Sequence, residues 1–528
     1  MTKQFSSPVN DMIDGMTGFS DSSDKASFSG SDLARDRNFE HDLLFHLDNL
    51  GDYQDMVTKV SGFMTSALAQ IDKPFTGIQP VELAKEFAKV DLSKPVGQWQ
   101  GVLEELQQLY IKDAVYFSHP KYMAHLACPI TLPSIAAELI CGTINTSMDT
   151  WDQSGGGTFI EQTMIDWTAS KIGYGSQSDG IFTSGGTQSN FMAMLVARDN
   201  FCLDHLDGHR VQLDGLPPEA HKFRIFASGV SHFSIQKAAA KMGLGFNSVV
   251  PVEYDDQFRM RPDDLEAKLE ASVADGLIPI AVVATFGTTD FGSLDPVEKI
   301  SEICQKRGIW LHADAAFGCG LLISQAHHER VEPLHLADSV TVDYHKSFFQ
   351  PVSCSGFFVK NRQKLGCLTY HADYLNPLSQ AKKGYPNLVT KSIQTTRRFD
   401  ALKPWLTLRL IGEENLGQLF DELMDLAQRV YHHIEQRAHV ETAHQPELSA
   451  VVFRFKPEGV TDVQRINEAN EFVKLQFLET GNAMIASTKI RGDSYLKFTF
   501  LNPLAQLEDV VQVLDEIEHL GQSFSQSL

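Results

Sequence analysis

The chain has 528 residues, 43% of them hydrophobic and 21% charged, with a formal net charge of −22. That length supports a large core and two or three domains. The acidic balance argues against binding a phosphate backbone, which needs clustered cations, and against an anionic membrane surface; it is compatible with a cationic substrate.

Cysteine usage and apolar runs narrow the class further. The 7 cysteines are scattered, odd in number and contain no CxxC pair, which speaks against a disulfide framework or a zinc site and suits a reducing compartment. No apolar stretch approaches the ~20 residues of a membrane span. The N-terminus lacks the basic-then-apolar order of a secretory signal, so a cytoplasmic location is expected.

Residues 1–38 are rich in Ser, Asp and Gly and read as a disordered tail or linker. From Asp42 to Leu109, Leu43, Leu44, Leu47 and Leu50 recur at helical spacing, and Pro74, Pro80 and Pro95 cut the region into short helices. Residues 39–115 are therefore taken as an N-terminal helical segment. Between about 150 and 365, helical patterns alternate with β-branched runs at 224–227, 248–252, 279–284, 308–312 and 339–342. Ile280 to Ala284 is apolar without alternation, as in a strand buried on both faces, which predicts an α/β domain with a mainly parallel sheet between helices. After Pro404 the pattern is helical to about Arg437. Alternating runs at 450–455 and 495–500 then predict a smaller C-terminal α+β domain. The expected division is 116–400 for the large domain and 401–528 for the small one.

Several strand ends carry chemistry. Gly180 to Asn190 passes from an apolar run through Ser184-Gly185-Gly186-Thr187 toward a helix placed near Phe191. Glycines there let backbone N–H groups reach a phosphate at a helix N-terminus, while Ser189 and Asn190 also suit a plain N-cap. His232 opens a helix after one strand, where it either stacks on an aromatic ring or faces solvent. Ala284 to Thr289 ends another strand with hydroxyls at the edge where open α/β sheets bind ligands. Asp314 lies in the apolar run His312 to Ala316, and a buried carboxylate needs a partner such as a protonated pyridine nitrogen or a salt bridge. His345 and Lys346 close the run that begins at Ser339; a lysine at a buried strand end either snorkels outward or serves as a Schiff-base amine.

Each feature has an ordinary structural explanation, but all fall at predicted carboxyl ends of strands. Together they describe a phosphorylated aromatic aldehyde held on Lys346 and kept protonated by Asp314, that is, pyridoxal phosphate.

At these residues the chain resembles the group II pyridoxal-phosphate amino-acid decarboxylases, from about His119 to Pro503. The resemblance is carried by His119-Pro120, the Ser184 to Thr187 turn, Ser231-His232, Gly287-Thr288-Thr289, Asp314-Ala315-Ala316, His345-Lys346 and the run Arg397 to Lys403. It implies the aspartate-aminotransferase-like fold, fold type I, with a seven-stranded large-domain sheet. It also implies a homodimer with the active site at the subunit interface, the N-terminal segment packing in that dimer. By position, Lys346 matches the Schiff-base lysine and Asp314 the partner of the pyridine nitrogen. Ala316 and His232 match the residues on the two ring faces, and Gly186 and Thr187 the phosphate turn. Thr289, Asp343 and His345 match further cofactor contacts. Family members often use a tyrosine on a mobile loop crossing the dimer interface as proton donor; residues 373–392 are the matching loop, with Tyr385 as the nearby tyrosine, and His232 and Lys346 as alternatives.

Met148 to Ser154, Asp179 to Asn190, His371 to Asn376 and Pro386 to Ser392 look like the L-2,4-diaminobutyrate branch of that family, though siderophore-pathway lysine decarboxylases share part of this. Aromatic decarboxylases carry a bulky ring where this chain has Asp149. Asp149 is accordingly expected to meet the distal ammonium of a diamino acid, with local capping as its alternative, and His125 is a second substrate-side candidate. An aminotransferase and a non-catalytic paralogue are the rival readings.

Overall fold

The computed structural model describes residues 44–526; the expected tail at 1–38 lies outside them. The described residues fall into two units that divide between Gln70 and Ile71. In the first, helix α1 (Leu50–Leu68) follows a short 3₁₀ turn. His46 caps that turn: its ring accepts from the Asp48 N–H, and the Asn49 side chain accepts from the His46 N–H.

The second unit holds everything else. Two short helices, α2 (Pro80–Phe87) and α3 (Trp99–Leu109), precede the sheet region. The patterning joins 39–115 in one segment, but residues 71–115 belong to the second unit because their backbone is tied to the far end of the chain. Lys73 donates to the Thr480 carbonyl at 2.9 Å, and Gly481 lies so close to Phe75 O that an added Cβ would come within 2.0 Å of it.

Among the described residues, seven strands form one sheet: β1 (Asp179–Thr183), β2 (Phe223–Ser228), β3 (Val249–Val252), β4 (Ile278–Thr285), β5 (Trp310–Asp314), β6 (Ser339–Val342) and β7 (Ser355–Val359), in the order β1-β7-β6-β5-β4-β2-β3. The pairs among β2, β3, β4, β5 and β6 are parallel, and β7 runs antiparallel to both of its neighbours, β1 and β6. Carboxyl ends of six strands therefore share one edge with the start of β7. Ile280 to Ala284 is buried along its whole length, as its unbroken apolar run requires.

Helices cover the sheet. In chain order the longer ones are α4 (Leu132–Ile144), α5 (Gly156–Ile172), α6 (Gly186–His205), α7 (Ser234–Lys241), α8 (Pro262–Ala274), α9 (Val297–Arg307), α10 (Leu402–Ile411), α11 (Glu413–Ile434), α12 (Val463–Thr480) and α13 (Leu507–Gln526). Helix α6 begins at Gly186, five residues before the predicted start at Phe191, so the glycines are its first turn and not a loop ahead of it. Ser189 and Asn190 cap nothing. Both are buried in the helix, facing the sheet.

The small sheet is antiparallel, in the order β10-β11-β9-β8, from β8 (Val440–Thr442), β9 (Ala450–Phe455), β10 (Ala486–Ile490) and β11 (Asp493–Thr499). Two places blur the expected domain boundaries. Met123 exchanges backbone bonds with Met484 and Thr499, so the chain near 123 runs beside the small sheet. Helix α10 packs on α4 and α5 of the large domain. No helix among the described residues is long and apolar enough to cross a membrane.

The segment following Asp314 is held from behind by α11. Gly417 packs against the Ile323 carbonyl, where an added Cβ would lie 1.9 Å from the oxygen. Gly417→Ala is expected to force α11 away from this segment and destabilise the fold by about 1–3 kcal/mol. The lowered midpoint would be read in thermal unfolding followed by circular dichroism.

Candidate active site

Strand ends deliver the predicted residues to one place. A cavity of about 730 Å³ is lined by Gly186, Thr187, His232, Thr289, Asp314, Ala316, Asp343, His345 and Lys346, together with Asn190 and Thr285. A surface groove of about 770 Å³ near Asp421 and Arg429 is slightly larger, but it lies away from every motif residue.

Lys346 does not sit on the strand. β6 ends at Val342, Asp343 leaves it in extended conformation, and Tyr344–Ser347 makes a single helical turn that brings Lys346 back over the sheet edge. Its ammonium lies 3.1 Å from Asp343 Oδ2. Burial opposes charge on Lys346, but Asp343 and Asp314 outweigh it and hold the amine above its ordinary value. Burial likewise pushes Asp343 up, yet Lys346 and His345 prevail and hold it below the usual carboxylate range. Because β7 runs backwards, its first residue, Ser355, shares this edge and donates its hydroxyl to Asp343 Oδ1. The ammonium is thus paired, not snorkelling.

Asp314 ends β5. Its two oxygens accept from Asn190 Nδ2 at 2.7 Å and from the Ala316 N–H at 3.2 Å. Both partners are donors. His232 Nδ1 accepts from the Ser234 N–H at 3.3 Å. Burial lowers the ring below its ordinary value, with Asp314 opposing. His345 is also lowered by burial, against the pull of Asp343 3.6 Å away.

At the other end, the first N–H groups of α6 open on the cavity. Gly186 is tight for a reason other than backbone freedom: a Cβ there would lie 2.9 Å from Asp343 Oδ2. The buried Thr285 hydroxyl on the cavity wall has no hydrogen-bond partner in the chain. An anion-accepting helix start, a buried amine and an acid held by two donors surround one cavity, which is the donor set that a phosphorylated pyridine aldehyde requires.

The segment that follows the Lys346 turn is braced by a second buried ammonium. Lys403 Nζ donates to the Pro351 and Ser353 carbonyls and pairs with Asp400 at 2.8 Å and Glu138 at 3.1 Å.

Three sequence candidates lie outside this cavity. Asp149 is buried, but its carboxylate accepts from its own neighbours, the Thr150 N–H at 2.6 Å and the Ser147 hydroxyl at 3.0 Å. Within its own chain these local bonds are the ones the Asp149 carboxylate makes, and no cavity residue is among its partners. His125 is exposed, and its ring is lowered by burial and by Lys497 and Lys474. Tyr385 follows a short helical turn, Leu378–Lys382, and is 45% exposed. Conversely, Asn190 and Ser355 escaped the motif reading. The sequence signal for Asn190 is its place on an otherwise apolar helix face, with Ala193, Met194 and Ala197, where an amide needs a buried partner.

Asp343→Asn removes the closest charge that raises Lys346. The amine is then expected to lose its proton at lower pH, so labelling of Lys346 by a small acylating reagent, followed by mass spectrometry of the cofactor-free protein, begins at lower pH than in the parent.

The comparisons agree with this chemistry. Residues 82–456 match the pyridoxal-dependent decarboxylase conserved domain. The chain is 39% identical over 468 residues to an L-2,4-diaminobutyrate decarboxylase of Acinetobacter baumannii, covering 86% of this chain and 91% of the relative. It is 36% identical over 417 residues to one of Rhizobium meliloti (strain 1021), covering 79% and 80%. A crystal structure of the glutamate decarboxylase domain of a diaminobutyrate-pyruvate transaminase and L-2,4-diaminobutyrate decarboxylase from Vibrio parahaemolyticus superposes with a TM-score of 0.81 at 33% identity, covering 89% of this chain and 95% of that one. The fold is that of fold type I pyridoxal-phosphate enzymes, and this chain belongs to the pyridoxal-dependent decarboxylase family.

Proposed function

We propose that this chain removes the α-carboxylate of L-2,4-diaminobutyrate, releasing CO₂ and 1,3-diaminopropane, as a cytoplasmic homodimer in polyamine biosynthesis. The observation that carries the reading is likeness over most of the chain to two diaminobutyrate decarboxylases, joined to a cavity in which Lys346 and Asp314 converge. When bound, pyridoxal phosphate supplies the electron sink for the bond to the leaving carboxylate.

The chain's own residues set the conditions. Lys346 would hold the aldehyde, and Asp314 would keep the pyridine nitrogen protonated. His232 and Ala316 would flank the ring. The first turn of α6, at Gly186 and Thr187, would hold the phosphate, and Thr289, Asp343 and His345 would complete the contacts. Asp343 pairs with the protonated Lys346 amine and so favours its charged form. His232 and Lys346 line the cavity, and either would return a proton to Cα. Tyr385, outside the cavity of its own chain, would act only from a partner subunit. A face of α4 bearing exposed Leu132, Ile135, Leu139 and Ile144 supports a second copy, since contiguous apolar surface marks interfaces.

A CO₂-release screen over diaminobutyrate, ornithine, lysine, glutamate, aspartate and the aromatic amino acids tests the substrate. Diaminobutyrate is expected to react fastest with no oxo-acid present; a requirement for an oxo-acid would mark an aminotransferase. Lys346→Ala is expected to abolish the visible absorbance of lysine-bound cofactor and the CO₂ release together. A covalent adduct persisting in that variant would refute the lysine's role.

A further inference from the structure

Behind Asp314 lies a chain of buried polar groups that the cavity residues do not explain. Trp310, His312 and Asp314 alternate along β5 and so face the same side of the sheet. The parallel register sets His312 beside Ser339 and Asp314 beside Thr341 of β6. Asn190 of α6 sits over all of them, 1% exposed.

The orientation of its amide follows from its neighbours. Trp310 Nε1–H only donates, and it donates to Ser339 Oγ at 2.9 Å. Ser339 Oγ also meets His312 Nδ1 at 2.9 Å and keeps its own proton to give there. Burial pushes His312 down to about 4, so the ring is neutral, and with Asn190 Oδ1 facing Nε2 at 3.0 Å its one proton lies on Nε2. The Thr341 hydroxyl donates to the same oxygen at 2.8 Å. Asn190 Nδ2 is then left to donate to Asp314 Oδ2 at 2.7 Å and to Ser234 Oγ at 2.9 Å. Ser234 Oγ in turn meets His232 Nδ1 at 2.8 Å, a nitrogen that already accepts from the Ser234 N–H, so the neutral ring carries its proton on Nε2. Reversing the amide would set its oxygen against the Asp314 carboxylate, with no hydrogen between them.

We propose that Asn190 is a positioning residue: its one amide, held between Asp314 and the Trp310-Ser339-His312 chain, aims Asp314 as a carboxylate for the cofactor and, through Ser234, fixes the His232 ring in the cavity wall. The inference rests on the family's cofactor and not on which amino acid is decarboxylated.

The test reads the affinity of the cofactor-free protein for pyridoxal phosphate, without substrate, against pH. Charged and titratable groups around Asn190 are Asp314 and His312 on β5 and His232 ahead of α7, with Lys237 on α7 acting on His232 and Lys346 and Asp343 across the cavity. Asn190→Leu, shown folded by circular dichroism, is expected to bind roughly 10- to 100-fold more weakly, the worth of one hydrogen bond to a charged group. Asn190→Asp keeps the shape and adds a switch. Burial and the like charge of Asp314 raise the introduced carboxyl above its ordinary value. Below that value it is protonated and donates to Asp314; above it, two carboxylates face each other. Relative to the parent at each pH, the deficit of Asn190→Asp should therefore grow as pH rises and close as pH falls. A folded Asn190→Leu protein that binds like the parent overturns the proposal. So does an Asn190→Asp protein that matches the parent at every pH or is weaker by one constant factor. Should Asn190→Leu fail to fold, Asn190→Asp decides alone. A diaminobutyrate screen that fails while the pH signature holds would sink the substrate reading and leave this one standing.

Discussion

One ion pair organises the site. The Lys346 ammonium and the Asp343 carboxylate are both withdrawn from water, and each is tolerable there only because of the other. Removing one partner of such a pair strands a buried charge at a cost of about 3–5 kcal/mol. The pair forces the turn at Tyr344–Ser347 to close over the end of β6. It needs Ser355 at the start of a reversed strand to occupy the second carboxylate oxygen, and a glycine at 186 so that the first turn of α6 can approach. The sheet order, the reversal of β7 and the early start of α6 are all conditions for keeping that lysine both charged and reachable.

A reactive amine is useful only when it can surrender its proton. The structure places two carboxylates near Lys346 with different company. Asp343 is tied to the lysine and to the His345 ring. Asp314 is tied to an amide and a backbone N–H, and through them to neutral groups only. One acid therefore pairs directly with the amine, while the other is held by hydrogen-bond donors that carry no charge. The division follows from which neighbours can donate and which carry charge, and not from any difference between two aspartates as residues.

Much of this was legible in the sequence because the motif residues lie within a few positions of strand ends, and strand ends are marked by unbroken apolar runs that stop at Gly, Thr, Asp or His. Local order then fixes which edge they share. What was not legible depends on pairing between distant segments. Asn190 reads as an N-cap when only its own helix is considered; its role appears once β5 lies beneath it in register. For Asp149 only the local part is legible: the Thr150 N–H and the Ser147 hydroxyl bond it within its own chain, and a substrate contact depends on groups beyond these. The start of α6 was misplaced because glycines are poor helix formers, and here the gain from a close approach to Asp343 outweighs that propensity. The boundaries at 115 and 400 blurred for a similar reason: Lys73, Met123 and Lys403 bind segments hundreds of residues away, and no local pattern announces such ties.

The brace at Lys403 gives the segment after Lys346 an unusual thermal character. Both ends of the stretch from Asp343 to Ser353 are pinned by ammonium groups bound to carboxylates and carbonyls. Apolar stabilisation levels off on heating, while the penalty for dehydrating ions shrinks. The dehydration penalty at the corner that carries Lys346 therefore falls as the temperature rises, an easing that the apolar packing of the helices over the sheet does not share.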